Sequence, residues 1–227
     1  MPLILHIDTA TENATISIAQ NEHVIGFLTS INQKDHASFL QPGIRKLFAE
    51  SNISINQLNA VSVTAGPGSY TGLRVGMASA KGICYALQIP LITLSTLEVM
   101  VLSIIEKTAD PASYLYCPMI DAGRMEVFTA LFDENLRELM PPCALILQPG
   151  SFDDFIKNRP IIFCGNGAEK FLKLSTHSNL LYVETVNSAS ALSLLSLKNF
   201  KPGGFADLLN AQPAYLKQFY TPASLKT

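Results

Sequence analysis

The stretch Val61–Leu87, which reads VSVTAGPGSYTGLRVGMASAKGICYAL, decides the fold of this chain. Its first residues, Val61 to Ala65, have the apolar pattern of a strand, and those from Gly72 to Leu87 have the composition of a helix. The residues that join them form the glycine turn, which comprises Gly66, Pro67, Gly68, Ser69 and Thr71. Because glycine and proline mark sharp changes of chain direction, the stretch predicts a strand, a tight turn and a helix in succession.

The glycine turn permits three structural roles. A helix N-terminus presents N–H groups without helical partners, so the turn can hold an anion such as phosphate. Glycine adopts positive φ and admits close backbone approach, so the turn can also be a fold-determining bend or a point of helix contact. Arg74 and the N–H groups after Gly68 are compatible with the first role.

The predicted helix carries small residues at intervals of four, namely Gly72, Gly76 and Ala80. A glycine within a helix costs up to about 1 kcal/mol relative to alanine, so these residues require an explanation. Close approach of another backbone supplies one. The neighbour is either the chain's own sheet or a helix of a second chain, and the helix sequence allows both.

The segments around this stretch indicate an internal duplication. The first half is predicted to begin with strands at Leu3–Ile7, Ala14–Ala19 and Val24–Thr29, and the second half with strands at Tyr114–Ile120 and Met125–Phe132. Later, the strand Pro160–Cys164, the turn Gly165–Gly167 and the helix Ala168–Leu174 repeat the order of strand, glycine turn and helix. We therefore expect an α/β fold with two similar subdomains, residues 1–108 and 109–204, each with a mixed sheet and helices. The tail, residues 205–227, is expected to pack back onto the first subdomain, and its part Phe205–Tyr220 is expected to be partly helical.

Three further helices follow from sequence patterns. Apolar residues at helical spacing predict an amphipathic helix over Asp35–Ser51. A second helix is predicted to begin at Ser95, which forms a capping box with Glu98, and a third spans Ser188–Phe200. The first of these starts at His36, but Leu40 occupies the position one turn later, so no histidine pair and no metal site are predicted.

Two aspartates end the first strand of each half, Asp8 and Asp121. A carboxylate at such a turn can hold a hydrated metal ion beside a phosphate, although capping its own turn is the more common role. An alternative function is therefore a metal-nucleotide-dependent ATPase or phosphotransferase that uses these two residues.

Composition excludes several classes of protein. The net charge is −2 and the 16 Lys and Arg are scattered, so no basic stripe for nucleic acid is present. Charged residues make up 15% of the chain, against about a quarter in an average soluble protein, which is compatible with a surface covered by a partner. The four cysteines form no CxxC pair, and no apolar run reaches the length of a membrane span. We expect a cytoplasmic protein.

Four segments together resemble the TsaB (YeaZ) family. They are ILHIDTATENATISIA (residues 4–19), HASFLQP (36–42), AGPGSYTGLRVGMASAKG (65–82) and QPAYLK (212–217). The resemblance implies the duplicated fold of actin, sugar kinases and Hsp70, which is a ribonuclease H-like fold. It also implies a non-catalytic partner of TsaD in the synthesis of threonylcarbamoyladenosine next to the tRNA anticodon. TsaD carries a metal-binding HxxxH motif where this chain has His36 and then Leu40.

The resemblance implies partners rather than cofactors or catalytic residues. The expected partners are TsaD, a TsaE-type ATPase in a larger complex, and a second copy of the chain when TsaD is absent, with tRNA contacted only through the complex. An unrelated homodimer with another binding role is also compatible with the sequence. The expected partner interface comprises His36, Leu40, Ile44, Leu47, Gly72, Arg74, Val75, Gly76, Ser79, Ala80 and Ile83.

Overall fold

The computed structural model describes residues 1–31, 36–177, 180–185 and 188–217, which form two sheets and the helices between and around them. The first half contains β1 (Leu3–Asp8), β2 (Ala14–Gln20), β3 (His23–Ser30), α1 (His36–Ser51), a short 3-10 turn (Ile55–Gln57), β4 (Ala60–Gly66), α2 (Tyr70–Leu87), β5 (Leu91–Ser95) and α3 (Thr96–Ile105). Asp35, with which the sequence begins the first helix, lies outside the described residues.

The second half follows a 3-10 turn at Pro111–Ser113. It contains β6 (Leu115–Asp121), β7 (Glu126–Phe132), β8 (Glu138–Ile146), α4 (Asp153–Ile156), β9 (Ile161–Cys164), α5 (Ala168–Leu174), β10 (Leu181–Val183) and α6 (Ala189–Phe200). The sequence prediction includes neither β8 nor β10.

The two sheets have the same topology. The first has the order β3-β2-β1-β4-β5, and the second has β8-β7-β6-β9-β10 when read in the corresponding direction. In each, the first three strands are antiparallel neighbours, and the fourth and fifth run parallel to the first. This identity of order confirms the expected duplicated α/β fold.

Helices cover both faces of the first sheet. The helices α1 and α2 pack on one face through a core that includes Leu40, Ile44 and Met77. On the opposite face α6 packs through Leu192 and Leu195, although the sequence assigns this helix to the second half. The helix α3 contacts α6 and packs on the second sheet, so these two helices lie between the sheets. The subdomain limits at 108 and 204 stay predictions.

The described part of the tail, residues 205–217, contains no helix, so the expectation of partial helicity is wrong for it. The backbone is instead hydrogen-bonded to the first half: Ala206 N–H donates to Leu91 O at 2.8 Å, and Ala214 N–H donates to Ala65 O at 2.7 Å. Because the N–H groups of Ala206 and Ala214 donate to these strands, they are not used in hydrogen bonds of a helix. Among the described residues, no helix has the length and apolar character of a membrane span.

A buried histidine joins three elements of the first half. His6 on β1 is fully buried, and its Nδ1 lies 2.8 Å from Ser62 Oγ on β4 and 3.0 Å from Ser196 Oγ on α6. Burial lowers the pKa of its imidazole from 6.5 to about 3, because the charged form loses its hydration.

We predict that His6 makes folding sensitive to mild acid. As pH falls from 6.5 towards 3, the unfolded chain binds a proton that the folded chain resists, so the free energy of unfolding decreases by up to about 1.4 kcal/mol per pH unit. Urea unfolding at several pH values should show a shallower decline for His6→Gln. Burial raises the pKa of Asp8, which acts in the opposite sense, so the comparison isolates His6. Parallel declines in parent and variant would contradict the assignment.

Candidate interaction site

The glycine turn connects β4 to α2 as the sequence predicts. Gly66 ends β4 with φ of +123°, a value that favours glycine. Ser69 is the N-cap of α2, and its Oγ accepts a hydrogen bond from Gly72 N–H at 3.3 Å. The helix therefore begins at Tyr70, two residues before the predicted start, because a serine cap satisfies one of its first N–H groups.

The turn between β1 and β2 fills the space beside the glycine turn. Ser69 N–H donates to Ala10 O at 2.7 Å, and Thr9 Oγ1 donates to Gly72 O at 2.7 Å. A Cβ at Gly72 would lie only 2.0 Å from Thr9 O, and one at Gly68 only 2.2 Å from Ala10 O. With these N–H groups bonded and the glycines in contact with backbone, the geometry disfavours a phosphate cradle.

The stripe of small residues on α2 also faces the chain's own β1–β2 turn and sheet. A Cβ at Gly76 would lie 2.4 Å from Thr9 Oγ1 and 3.4 Å from Val63 Cγ2. Ala80 is fully buried in the same core. Contacts within the chain thus account for the small residues at Gly72 and Gly76. The place of Gly72, Gly76 and Ala80 in a partner interface stays a prediction.

The expected partner interface divides into two sets. Seven of its residues are buried inside the chain: His36, Leu40, Ile44, Leu47, Gly72, Gly76 and Ala80. Four of them, Leu40, Ile44, Leu47 and Ala80, belong to the core between the two helices and the first sheet. The part of all seven in a partner interface stays a prediction. The other four residues are exposed or half-buried, so a partner can reach them: Arg74, Val75, Ser79 and Ile83.

The solvent side of the two helices bears a shallow groove that sequence reasoning missed. We call this surface the α1–α2 groove; it has a volume of about 570 Å³ and is lined by Gln41, Ile55, Ala78, Ser79, Gly82, Ile83, Ala86 and Leu87. None of these side chains is charged. Gln41 Nε2 donates to Ser79 Oγ at 3.0 Å and so joins the two helices across it.

A second stripe of small residues forms the floor of the groove. Ala78, Gly82 and Ala86 follow at intervals of four, offset by two residues from the buried stripe, and all three are exposed. A Cβ at Gly82 would meet no atom within 4 Å. The spacing is visible in the sequence, but it marks an outward face only once the inward face of α2 is known.

The two aspartates of the alternative function do not share a site. Asp8 is buried, and its oxygens accept hydrogen bonds from Thr64 Oγ1 at 2.9 Å and Ser188 Oγ at 3.1 Å. Burial raises the pKa of this carboxyl group, which lines a narrow cavity of about 40 Å³. Asp121 lines a different cavity, of about 360 Å³, and pairs with Lys170 Nζ at 2.5 Å. Within the described ranges, no three potential metal-ligating side chains are grouped.

Comparison with known proteins gives a consistent set of relatives. A family model described as TsaD: tRNA N6-adenosine threonylcarbamoyltransferase matches residues 9–148. The TsaB protein of Bacillus subtilis is 29% identical over 168 residues, which cover 72% of this chain and 70% of that protein. The TsaB protein of Escherichia coli is 25% identical over 221 residues, which cover 94% of each chain. Both are named as tRNA threonylcarbamoyladenosine biosynthesis proteins.

A solved structure supports the fold. YeaZ from Pseudomonas aeruginosa superimposes with a TM-score of 0.79 at 22% identity, and the match covers 95% of this chain and all of that one. At this identity the match supports the fold alone, and it agrees with the two sheets of identical strand order.

We predict that two glycines of α2 respond oppositely to the same substitution. Gly72→Ala places a methyl group against Thr9 O and should lower the free energy of unfolding by about 1–3 kcal/mol. Gly82→Ala meets open space and should raise it by up to about 1 kcal/mol, because alanine is the better helix former. Urea unfolding of both variants measures this, with Gly82→Ala as the matched control. Equal effects would contradict the orientation of α2.

Proposed function

The chain belongs to the protein family described as TsaD, tRNA N6-adenosine threonylcarbamoyltransferase, and within it to the TsaB (YeaZ) proteins; from this premise we propose that it is a non-catalytic assembly subunit. Its role lies in tRNA threonylcarbamoyladenosine biosynthesis. In the proposal it binds TsaD and, with it, a TsaE-type ATPase. The complex then transfers the threonylcarbamoyl group to the adenosine next to the tRNA anticodon.

The α1–α2 groove is the observation that carries this proposal. It is exposed and uncharged, and small residues on its floor allow a partner's helix to approach closely. Val75 and Ile83 are half-buried and add apolar surface on the same helix. We propose that TsaD docks here, and that a second copy of the chain uses the same face when TsaD is absent.

The proposal of a non-catalytic role is supported by the state of the candidate catalytic groups. Asp8 is held by hydroxyl donors in a cavity too small for a nucleotide. Leu40, which stands where the resemblance implies the second metal-binding histidine of TsaD, is fully buried in the apolar core. These contacts favour an accessory subunit. In the proposal it acts in the cytoplasm and meets tRNA only through its complex.

We predict that a charge in the α1–α2 groove weakens the complex. Ala86→Glu places a carboxylate on the floor of the groove, where binding would bury it without a partner, so affinity for TsaD should fall by about tenfold or more. Light scattering and calorimetry of the chain mixed with TsaD from the same organism measure the heteromer and its affinity.

The control is Ala112→Glu, the same substitution at an exposed alanine in the 3-10 turn between the halves. It should leave the affinity unchanged, and both variants should unfold at similar urea concentrations. If the parent forms no heteromer at micromolar concentrations, or if both variants bind equally well, the proposed docking face is wrong. Calorimetry with ATP and magnesium tests the alternative, since tight binding with turnover would favour an ATPase.

A further inference from the structure

The described tail, residues 205–217, crosses both halves of the molecule and contains one turn, in which Ala211 N–H donates to Asp207 O at 2.7 Å. It pairs with the edge of β5 through Ala206 and with the end of β4 through Ala214. The ring of Tyr215 packs on Tyr70 with centroids 5.5 Å apart, and Lys217 forms an ion pair with Glu126 of β7. The segment thus begins on the first sheet and ends on the second.

A lysine of α2 holds the middle of this segment. Lys81 Nζ donates to Leu209 O at 3.1 Å and to Ala211 O at 3.0 Å. Both bonds go to backbone carbonyl groups of the turn over residues 207–211, so they hold the backbone rather than particular side chains. Lys81 directly precedes Gly82 in the helix, but its contact with the tail lies outside the α1–α2 groove, whose lining does not include it.

The glycine turn leaves space for the same segment of the tail. A Cβ at Gly66 would lie 2.6 Å from Ala214 O, so the tail passes where a side chain would otherwise stand. Residues 214–217 also form one wall of the 360 Å³ cavity whose other walls include Tyr70, Asp121 and Phe128. The tail therefore runs beside the glycine turn and forms one wall of a cavity between the two halves.

The attachment of the tail is weak compared with the cores beside it. Every residue from 205 to 217 is exposed or half-buried, and the segment contains no helix. A segment with no fully buried side chain, held by a few hydrogen bonds, opens at lower free energy than the sheets it rests on. Such a segment can detach while the two cores remain folded.

We propose that residues 205–217 are a releasable strap, which detaches from both halves while their cores remain folded. Release opens the cavity between the halves and exposes three hydrogen-bonding groups: Leu91 O, Ala65 O and the ammonium group of Lys81. The inference is independent of the proposed TsaD interface, which uses the other side of α2.

Residue-resolved hydrogen exchange in low concentrations of urea tests the strap. The amides of Ala206 and Ala214 should exchange through local opening, at rates that hardly change with urea, whereas amides of β1 should exchange through global unfolding and accelerate steeply. Lys81→Met keeps the aliphatic part of the side chain and removes the ammonium group that donates hydrogen bonds to Leu209 O and Ala211 O. It should speed exchange at Ala214 by about tenfold and leave that exchange insensitive to urea.

The matched control is Lys46→Met, which removes only an exposed ion pair with Glu50 on α1 and should leave strap exchange unchanged. Two results would overturn the proposal. One is a urea dependence at Ala206 and Ala214 equal to that of β1, which would mean that the tail opens only with the core. The other is equal exchange in the two lysine variants. The first result is read from the parent chain, so it decides even if a variant folds poorly.

Discussion

The contact between the β1–β2 turn and the start of α2 is the constraint on which the structure depends. Thr9 and Ala10 bring their carbonyl oxygens to within 2.2 Å of where Cβ atoms would stand at Gly72 and Gly68. Hydrogen bonds from Ser69 N–H and Thr9 Oγ1 close the same contact at 2.7 Å. Since neither backbone can move away without breaking these bonds, the contact fixes the rotation of α2 about its axis.

That rotation determines what each side of the helix does. One stripe of small residues is used inside the chain, and the stripe two residues further on faces solvent and forms the floor of the α1–α2 groove. The same arrangement closes the space between the halves. Asn166 Nδ2 donates to Glu12 Oε1 at 2.9 Å, Ser188 Oγ donates to Asp8 at 3.1 Å, and the strap crosses to Glu126. The described structure thus has an uncharged groove on its outside and a cavity between its halves.

Sequence patterns predicted the features that depend on local or repeated information. Apolar runs located most strands to within two residues, and the repetition of strand, aspartate turn and strand revealed the duplication that the two sheets confirm. The strand β8 was missed because Pro141 and Pro142 argue against a strand, yet proline is tolerated at the edge position that β8 occupies. The strand β10 was missed because its three residues are exposed and carry no alternation.

The remaining differences arise from contacts between distant parts of the chain. Whether Gly72 and Gly76 face inward depends on Thr9, more than sixty residues earlier, and no local pattern contains that information. The course of the tail depends likewise on Leu91 and Ala65, whose carbonyl groups accept hydrogen bonds from its backbone. The spacing of Ala78, Gly82 and Ala86 is visible in the sequence, but it does not show that these residues face solvent until the buried face of α2 is known.

Hydroxyl-radical footprinting of the chain alone and in complex with TsaD tests the central claim most directly. The account predicts that oxidation of Ile83 and Leu87, in the α1–α2 groove, decreases in the complex, while oxidation of Phe128 and Tyr215, in the cavity between the halves, stays unchanged. Protection of Phe128 and Tyr215 without protection of Ile83 and Leu87 would contradict it, because the partner would then bind at the cleft and not on the outer face of α2.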